Sequence, residues 1–140
     1  MKSETAVNNF SNGYNCAQSV FLAFCEEYGL EGKTALKLTC GLGGGFRSGE
    51  LCGAVSGAVL AIGLKDGQFD LEDNESKALC HSKMIGFIDQ FREQFGSITC
   101  KDLLGYDIST EEGKAQHQHG KPVCTEMVKR AAELLVELGY

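Results

Sequence analysis

The chain has 140 residues, a length that allows one hydrophobic core, and we expect residues 1–140 to form a single domain. Its composition, 43% apolar and 23% charged, is typical of a globular protein and excludes intrinsic disorder. A net charge of −6 predicts no general affinity for nucleic acid or for an anionic membrane. The longest apolar run, Leu51 to Leu64, is too short to cross a membrane.

Helical periodicity dominates the first part of the chain. Asn15 followed by Gln18 predicts a capping box, and apolar residues at three- and four-residue steps predict a helix that ends at Gly29. A shorter helix is predicted over residues 33–40. The glycine-rich residues 41–45 then end that helix and form a flexible loop.

A central helix is predicted from residue 48 or 49 to residue 62, closed by Gly63. Its residues are apolar or small on every side, which predicts a helix buried in the middle of the fold. Gly53 and Gly57 share one face of this helix. Because glycine has no side chain, a neighbouring helix or a cofactor can approach the backbone there closely, and tight helix packing is the preferred interpretation.

The second part of the chain is also predicted to be helical. A long helix is expected from about residue 71 or 73 to residue 95, and Thr99 resembles the cap of a further helix. The polar residues 108–120 are expected to form a surface excursion, and Pro122 suits the first turn of a final helix. No segment alternates with period two for long enough to form a strand. We therefore predict an all-α fold, a compact bundle of five or six helices around the central glycine- and alanine-rich helix.

Seven cysteines are the unusual feature of the composition. They fall below the density of roughly 8–10% that marks a disulfide scaffold, and their number is odd. The first five residues do not resemble the apolar segment of a secretory signal peptide, so we expect a cytoplasmic protein in a reducing compartment. Cysteines in such a compartment serve as metal ligands, as redox thiols or as small hydrophobic residues.

The predicted helices divide these cysteines into two groups. Cys25 and Cys80 lie inside helices and are interpreted as small core residues, while Cys40, at a helix end, is interpreted as structural or as an accessory thiol. The other four lie in or near the first turn of a predicted helix, where the partial positive charge of the helix N-terminus favours a thiolate: Cys16, Cys52, Cys100 and Cys124. No Cys-x-x-Cys pair is present, which argues against zinc ribbons, thioredoxin-type sites and bacterial ferredoxin motifs.

Other residues with metal-binding or charged side chains give weaker indications of function. His117 and His119 form a pair that can bind a divalent metal, although two histidines in a polar segment are more often solvated. Tyr14, beside Cys16, and Arg47, near Cys52, can tune a site electrostatically, with ordinary packing or solvation as the alternative. The glycine-rich loop lacks the Lys-Ser/Thr pair of a phosphate-binding loop.

Several segments together resemble a known family. They are GYNCAQ at residues 13–18, GGG at 43–45, CGAVSG at 52–57, Cys100 and Cys124. This pattern resembles the small bacterial family named C_GCAxxG_C_C over nearly the whole chain, and the four family cysteines correspond to Cys16, Cys52, Cys100 and Cys124. One departure is that the family name has Gly-Cys-Ala, whereas this chain has Cys52-Gly53-Ala54. The family is described as redox-active, and a similar domain of split-Soret cytochromes is associated with an iron–sulfur centre.

Three functions remain open for the four cysteines. The first is an iron–sulfur electron-transfer module in which they are the ligands and the Gly53 and Gly57 face leaves room for the cluster. The second is a thiol–disulfide redox or sensor protein, and the third is a structural four-cysteine zinc site in a helical binding module. We prefer redox activity to a structural role, and a cluster to a disulfide. This leaves open whether the protein is an oxidoreductase or an electron carrier, which redox partner protein it uses, and whether it forms a homodimer.

Two expectations about the cysteines depend on the three-dimensional structure. The four selected residues should converge in space despite their separation in sequence. Cys52, which follows the glycine loop and starts a buried helix, should have an acidified and reachable thiol that is alkylated before the Cys80 thiol.

Overall fold

The computed structural model describes residues 1–117 and 121–140, and the regular secondary structure in these ranges is helical. No strand occurs in these two ranges, which confirms the all-α class. The α-helices in them are α1 (Lys2–Ser11), α2 (Cys16–Cys25), α3 (Gly32–Thr39), α4 (Gly53–Asp66), α5 (Asn74–Phe95), α6 (Cys100–Leu104), α7 (Glu111–His117) and α8 (Lys121–Glu137).

Helix α4 is the central helix, as its composition predicts. It contacts α2, α5 and α8, and its residues are buried from Gly53 to Ala58 and again at Ala61 and Ile62. Helix α2 packs on the other side against α1 and α3. The core is completed by fully buried large side chains from α2, α5 and α8, which include Phe24, Phe87, Phe91, Leu134 and Leu135.

The boundaries of α4 differ from the sequence prediction at both ends. The helix begins at Gly53, because residues 45–49 form a separate tight turn in which the Glu50 N–H donates to the Gly45 carbonyl oxygen (3.0 Å). It continues through Gly63 to Asp66, since a glycine inside a packed helix weakens the helix without breaking it.

Two helices were not expected from the sequence, which raises the number above the five or six predicted. Helix α1 is largely polar, and its only buried residues are Ser3 and Ala6, so its apolar periodicity is weak. It forms because it packs against α2 and α8. Helix α7 lies within the segment expected to be a surface excursion and is exposed except around Gly113.

A local sequence pattern correctly predicts the start of α2. Asn15 caps this helix: its side chain accepts a hydrogen bond from the Gln18 N–H (2.8 Å), and the Gln18 side chain accepts one from the Asn15 N–H (3.0 Å). Helix α5 begins at Asn74, close to the predicted start at residue 71 or 73, and the Asp73 side chain caps it by accepting from the Ser76 N–H (3.0 Å). The capping box fixes the first residue of α2, which is Cys16.

An isolated antiparallel bridge between Leu51 and Thr99 joins the segments that precede α4 and α6. The Cys52 N–H donates to the Ile98 carbonyl oxygen (2.8 Å), and the Cys100 N–H donates to the Glu50 carbonyl oxygen (2.5 Å). This bridge holds the starts of α4 and α6 side by side. It therefore brings together two cysteines that lie far apart in the sequence.

Candidate functional site

Four cysteines from four different helix starts line one cavity of about 90 Å³. They are Cys16, Cys52, Cys100 and Cys124, the set that the helix-start argument selects. Three of these side chains are buried, and that of Cys16 is partly buried. The structure therefore brings the four thiols to one place, while their roles as redox thiols or metal ligands remain predictions.

Each cysteine owes its position to a helix start. Cys16 is the first residue of α2, Cys100 is the first residue of α6, Cys52 immediately precedes α4, and Cys124 lies in the first turn of α8. The N–H groups of a first helical turn carry partial positive charge. Four such turns therefore face the same cavity.

The thiols of Cys16 and Cys124 both line the cavity, and each has the largest influence on the pKa of the other. Their interaction lowers the pKa of Cys124, and its own backbone N–H acts in the same direction, while burial opposes both. The same interaction raises the pKa of Cys16 well above its usual value, and burial raises it further. Cys124 therefore loses its proton more readily than Cys16.

The other two thiols are held in the neutral form. Burial raises the pKa of Cys52 to about 11, although the N–H groups of Ala54 and Val55 act in the opposite direction. Burial, together with the smaller effects of the neighbouring Cys52 and Cys124 sulfurs, raises the pKa of Cys100 to about 12. The expectation of an acidified Cys52 was wrong, because the desolvation of a side chain that is only 6% exposed outweighs the helix N-terminus.

The remaining walls of the cavity are mostly apolar. Outside the cysteines, the ionisable side chains among the described lining residues are those of Arg47 and His117. His117 Nδ1 lies 3.1 Å from the Tyr106 hydroxyl. The apolar part of the lining consists of Phe10, Leu103, Leu104, Val123 and Met127. Such walls lower the local dielectric constant and strengthen every electrostatic interaction at the sulfurs.

The remaining cysteines lie outside the cavity. Cys25 and Cys80 are packed in the hydrophobic core, as predicted for small apolar residues. Cys40 is exposed at the end of α3, where its carbonyl oxygen accepts a hydrogen bond from the Asn15 amide (3.1 Å). This hydrogen bond gives the Cys40 backbone a structural role beside the start of α2.

The two glycines assigned to close approach have different surroundings. Gly53 lines the cavity, whereas Gly57 packs against the backbone of α2. A Cβ atom at position 57 would lie 2.6 Å from the Ala17 carbonyl oxygen. The two helix backbones are therefore in contact here, and no cofactor fits between them. Of the two histidines predicted as a metal-binding pair, His117 lines the cavity, and His119 falls outside the described residues.

The sequence analysis missed several lining residues. Phe10 belongs to α1, a helix that its own sequence does not predict, and Gly44 is one glycine among several in its loop. Leu103, Leu104 and Met127 follow a cavity cysteine by three or four residues, and this helical spacing could have identified them, whereas Val123 directly precedes Cys124.

The fold and the site together define an all-α protein in which widely separated cysteines form one thiol-lined cavity. The sequence profile of the family described as "Putative redox-active protein (C_GCAxxG_C_C)" matches residues 14–138, so the chain belongs to this family. No curated protein and no solved structure gave a match. None of the helices in residues 1–117 and 121–140 is long and apolar enough to cross a bilayer.

Proposed function

We propose that the protein transfers electrons through a redox centre held by Cys16, Cys52, Cys100 and Cys124, with an iron–sulfur cluster as the group that the four thiols bind. The observation that carries this proposal is the gathering of four thiols from four helix starts around a single cavity. Thiolates are the usual ligands of iron–sulfur clusters, and four of them complete either common cluster type. When bound, such a cluster supplies reversible one-electron chemistry.

The arrangement of the donors supports a group that occupies the space between them. Within residues 1–117 and 121–140, no three His, Cys, Asp or Glu side chains are gathered closely enough to share one metal ion. The four sulfurs instead surround a cavity of about 90 Å³. A structural zinc site needs its ligands to converge on one ion, whereas the thiols that would hold a polynuclear cluster are distributed over several iron ions.

The protein's own residues prepare the site in two ways. Cys124 has a lowered pKa, while Cys52 and Cys100 keep their protons near neutral pH and must release them when they bind a metal. Apolar side chains such as Leu103 and Met127 line the cavity beside the sulfurs. Both features suit a buried centre that exchanges electrons without exchanging ligands.

Anaerobic purification followed by a visible spectrum and by iron, sulfide and zinc counts tests this proposal. The wild-type protein should be coloured and should contain iron and sulfide in comparable amounts. Serine at any one of positions 16, 52, 100 or 124 should greatly reduce the iron content. Cys25→Ser and Cys80→Ser, which change cysteines outside the cavity, are the matched controls and should retain iron. A colourless wild-type protein with zinc or no metal would contradict the cluster.

The mutual influence of the Cys16 and Cys124 thiols, which lowers the pKa of Cys124, favours a second candidate, a thiol–disulfide protein without a metal. In this reaction the Cys124 thiolate attacks a disulfide of the partner, and one partner sulfur leaves as a thiolate. Cys16 then loses its proton, and its sulfur attacks Cys124 in the mixed disulfide and releases the second partner thiolate. Two electrons thus pass to the partner. A metal-free protein with a reversible Cys16–Cys124 disulfide would support this candidate.

Both candidates imply the same cellular setting. We place the protein in the cytoplasm, where thiols remain reduced, and assign it a redox partner protein that donates or accepts the electrons. The iron–sulfur candidate makes the protein an electron carrier, and the disulfide candidate makes it an oxidoreductase. Copurification under anaerobic conditions and a measurement of solution mass test the partner and a homodimer, respectively.

A further inference from the structure

Arg47 is the only Lys or Arg among the described residues that line the four-cysteine cavity. The charge of its guanidinium group reaches the sulfurs, because it lowers the pKa of Cys100 against the larger effects of burial, of the Cys52 and Cys124 sulfurs and of the Asp107 carboxylate. Arginine stays protonated at every pH of interest. The cavity therefore contains one permanent positive charge beside groups that become negative.

No carboxylate in residues 1–117 and 121–140 lies within ion-pair distance of Arg47. Glu50 pairs instead with Lys101 (3.6 Å), and Asp107 accepts hydrogen bonds from Ser109. The Asp107 carboxylate opposes the effect of Arg47 at Cys100. Arg47 is thus the one fixed positive charge of the described lining, and it acts there against the negative charge of Asp107.

The backbone around Arg47 is unusual. Four consecutive residues, 44–47, have positive φ angles, and two of them are not glycine: Phe46 (φ 60°) and Arg47 (φ 59°). The left-handed region is unfavourable for residues with a Cβ atom. The turn brings the guanidinium group close to Gly44, where a Cβ atom would lie 3.2 Å from Arg47 Nη1. The chain therefore holds Arg47 in a strained conformation that places its charge on the cavity.

We propose that Arg47 is a positioning residue that raises the reduction potential of the four-cysteine centre by favouring its reduced, more negative form. This inference rests on the proposed redox function. Each electron accepted from an external one-electron donor adds one negative charge to the centre, while Arg47 keeps its proton and no bond of the chain is made or broken. A fixed positive charge beside the cavity therefore stabilises the reduced state relative to the oxidised state.

An anaerobic redox titration of the centre, with a chemical mediator as the electron donor, tests this role. Arg47→Gln should shift the equilibrium about tenfold toward the oxidised form, which is a fall of about 59 mV for one electron. Arg47→Lys, which restores the charge, should recover most of that loss. Lys77→Gln removes one exposed positive charge near the start of α5, outside the cavity, and should leave the potential unchanged.

Arg47→Gly is a second neutral variant whose folding is not opposed by backbone strain at position 47, since glycine readily adopts a positive φ angle. It should fold and show the same fall in potential as Arg47→Gln. If the wild-type centre titrates normally and both neutral variants keep its potential, Arg47 does not set the potential and this inference alone is overturned. If the wild-type protein shows no reversible transition, the proposed function and this inference fall together.

Discussion

The thiols of Cys16 and Cys124 line the same cavity and have the largest influence on each other's pKa, although the first residue begins α2 and the second lies in the first turn of α8. The site therefore joins residues from nearly opposite ends of the chain. The interaction makes the two sulfurs unequal, because the pKa of Cys124 falls and that of Cys16 rises. Cys124 is therefore the sulfur of this pair that ionises more readily.

This pair should be the first to form a disulfide in the metal-free reduced protein. Mild oxidation with diamide, followed by alkylation and peptide mass spectrometry, should find the Cys16–Cys124 linkage before any linkage of Cys52 to Cys100. The reason is that disulfide exchange needs a thiolate, which the lowered pKa of Cys124 favours and which the raised pKa values of Cys52 and Cys100 disfavour. Cys124→Ser should abolish early oxidation, and Cys25→Ser should leave it intact. A Cys52–Cys100 disulfide formed first would contradict the assignment.

Alkaline pH should destabilise the metal-free reduced protein through the buried thiols. The folded state keeps the protons of Cys52 and Cys100 up to pKa values of about 11 and 12, whereas unfolded cysteine loses its proton near its ordinary value of 9.0. Their contribution to stability is therefore complete below the unfolded pKa and is lost as pH rises through the folded values. For Cys52 alone the loss should reach about 2–3 kcal/mol.

Urea unfolding at a series of pH values from about 8 to about 11 measures this effect, because the range runs from below the unfolded pKa to the folded pKa of Cys52. Cys52→Ala removes one of the titrating groups, so the decline of its unfolding free energy with pH should be shallower than that of the wild type. Parallel declines for the two proteins would show that the Cys52 thiol is not held neutral by burial.

The sequence predicts the parts of the site that depend on local signals. Cys16 could be placed at a helix start because Asn15 and Gln18 form a capping box within four residues. The proximity of Cys52 to Cys100 could not be predicted, because it depends on a bridge of a single residue pair, Leu51 and Thr99, that gives no period-two pattern.

Two other features of the site are set by tertiary structure rather than by local sequence. The pKa of Cys52 depends on burial by distant parts of the chain, which outweighs the helix start that the sequence does indicate. The backbone of Phe46 and Arg47 is left-handed, a conformation that a residue with a Cβ atom seldom adopts and that its identity therefore does not predict.

The contact between α4 and α2 should not tolerate a side chain at position 57. A Cβ atom there would lie 2.6 Å from the Ala17 carbonyl oxygen, so Gly57→Ala should lower the unfolding free energy by about 1–3 kcal/mol, and Gly57→Leu by more. Gly63→Ala is the matched control in the same helix, because no neighbouring atom lies within 4 Å of its Cβ position. That control should be neutral or stabilising by up to about 1 kcal/mol. Equal unfolding free energies for the two alanine variants would contradict the packing described.

The left-handed backbone at Phe46 should make glycine the more stable residue at that position. Phe46→Ala removes the half-exposed ring and keeps the backbone strain, whereas Phe46→Gly removes both. Chemical unfolding should therefore find Phe46→Gly more stable than Phe46→Ala by about 1–2 kcal/mol. The comparison of these two variants cancels the loss of the ring. A glycine variant that is less stable than the alanine variant would rule out a left-handed conformation at this position.

The distribution of the four cysteines has a consequence for biosynthesis. Protein synthesis proceeds from the N-terminus, and the last of the four thiols belongs to α8. A nascent chain that has exposed only α1 to α6 holds three of the four thiols and lacks Cys124, the thiol with the largest influence on Cys16. The four-thiol cavity is therefore complete only after α8 has left the ribosome and packed against α1 and α4. A group that needs all four thiols can bind only to a chain that has folded as a whole.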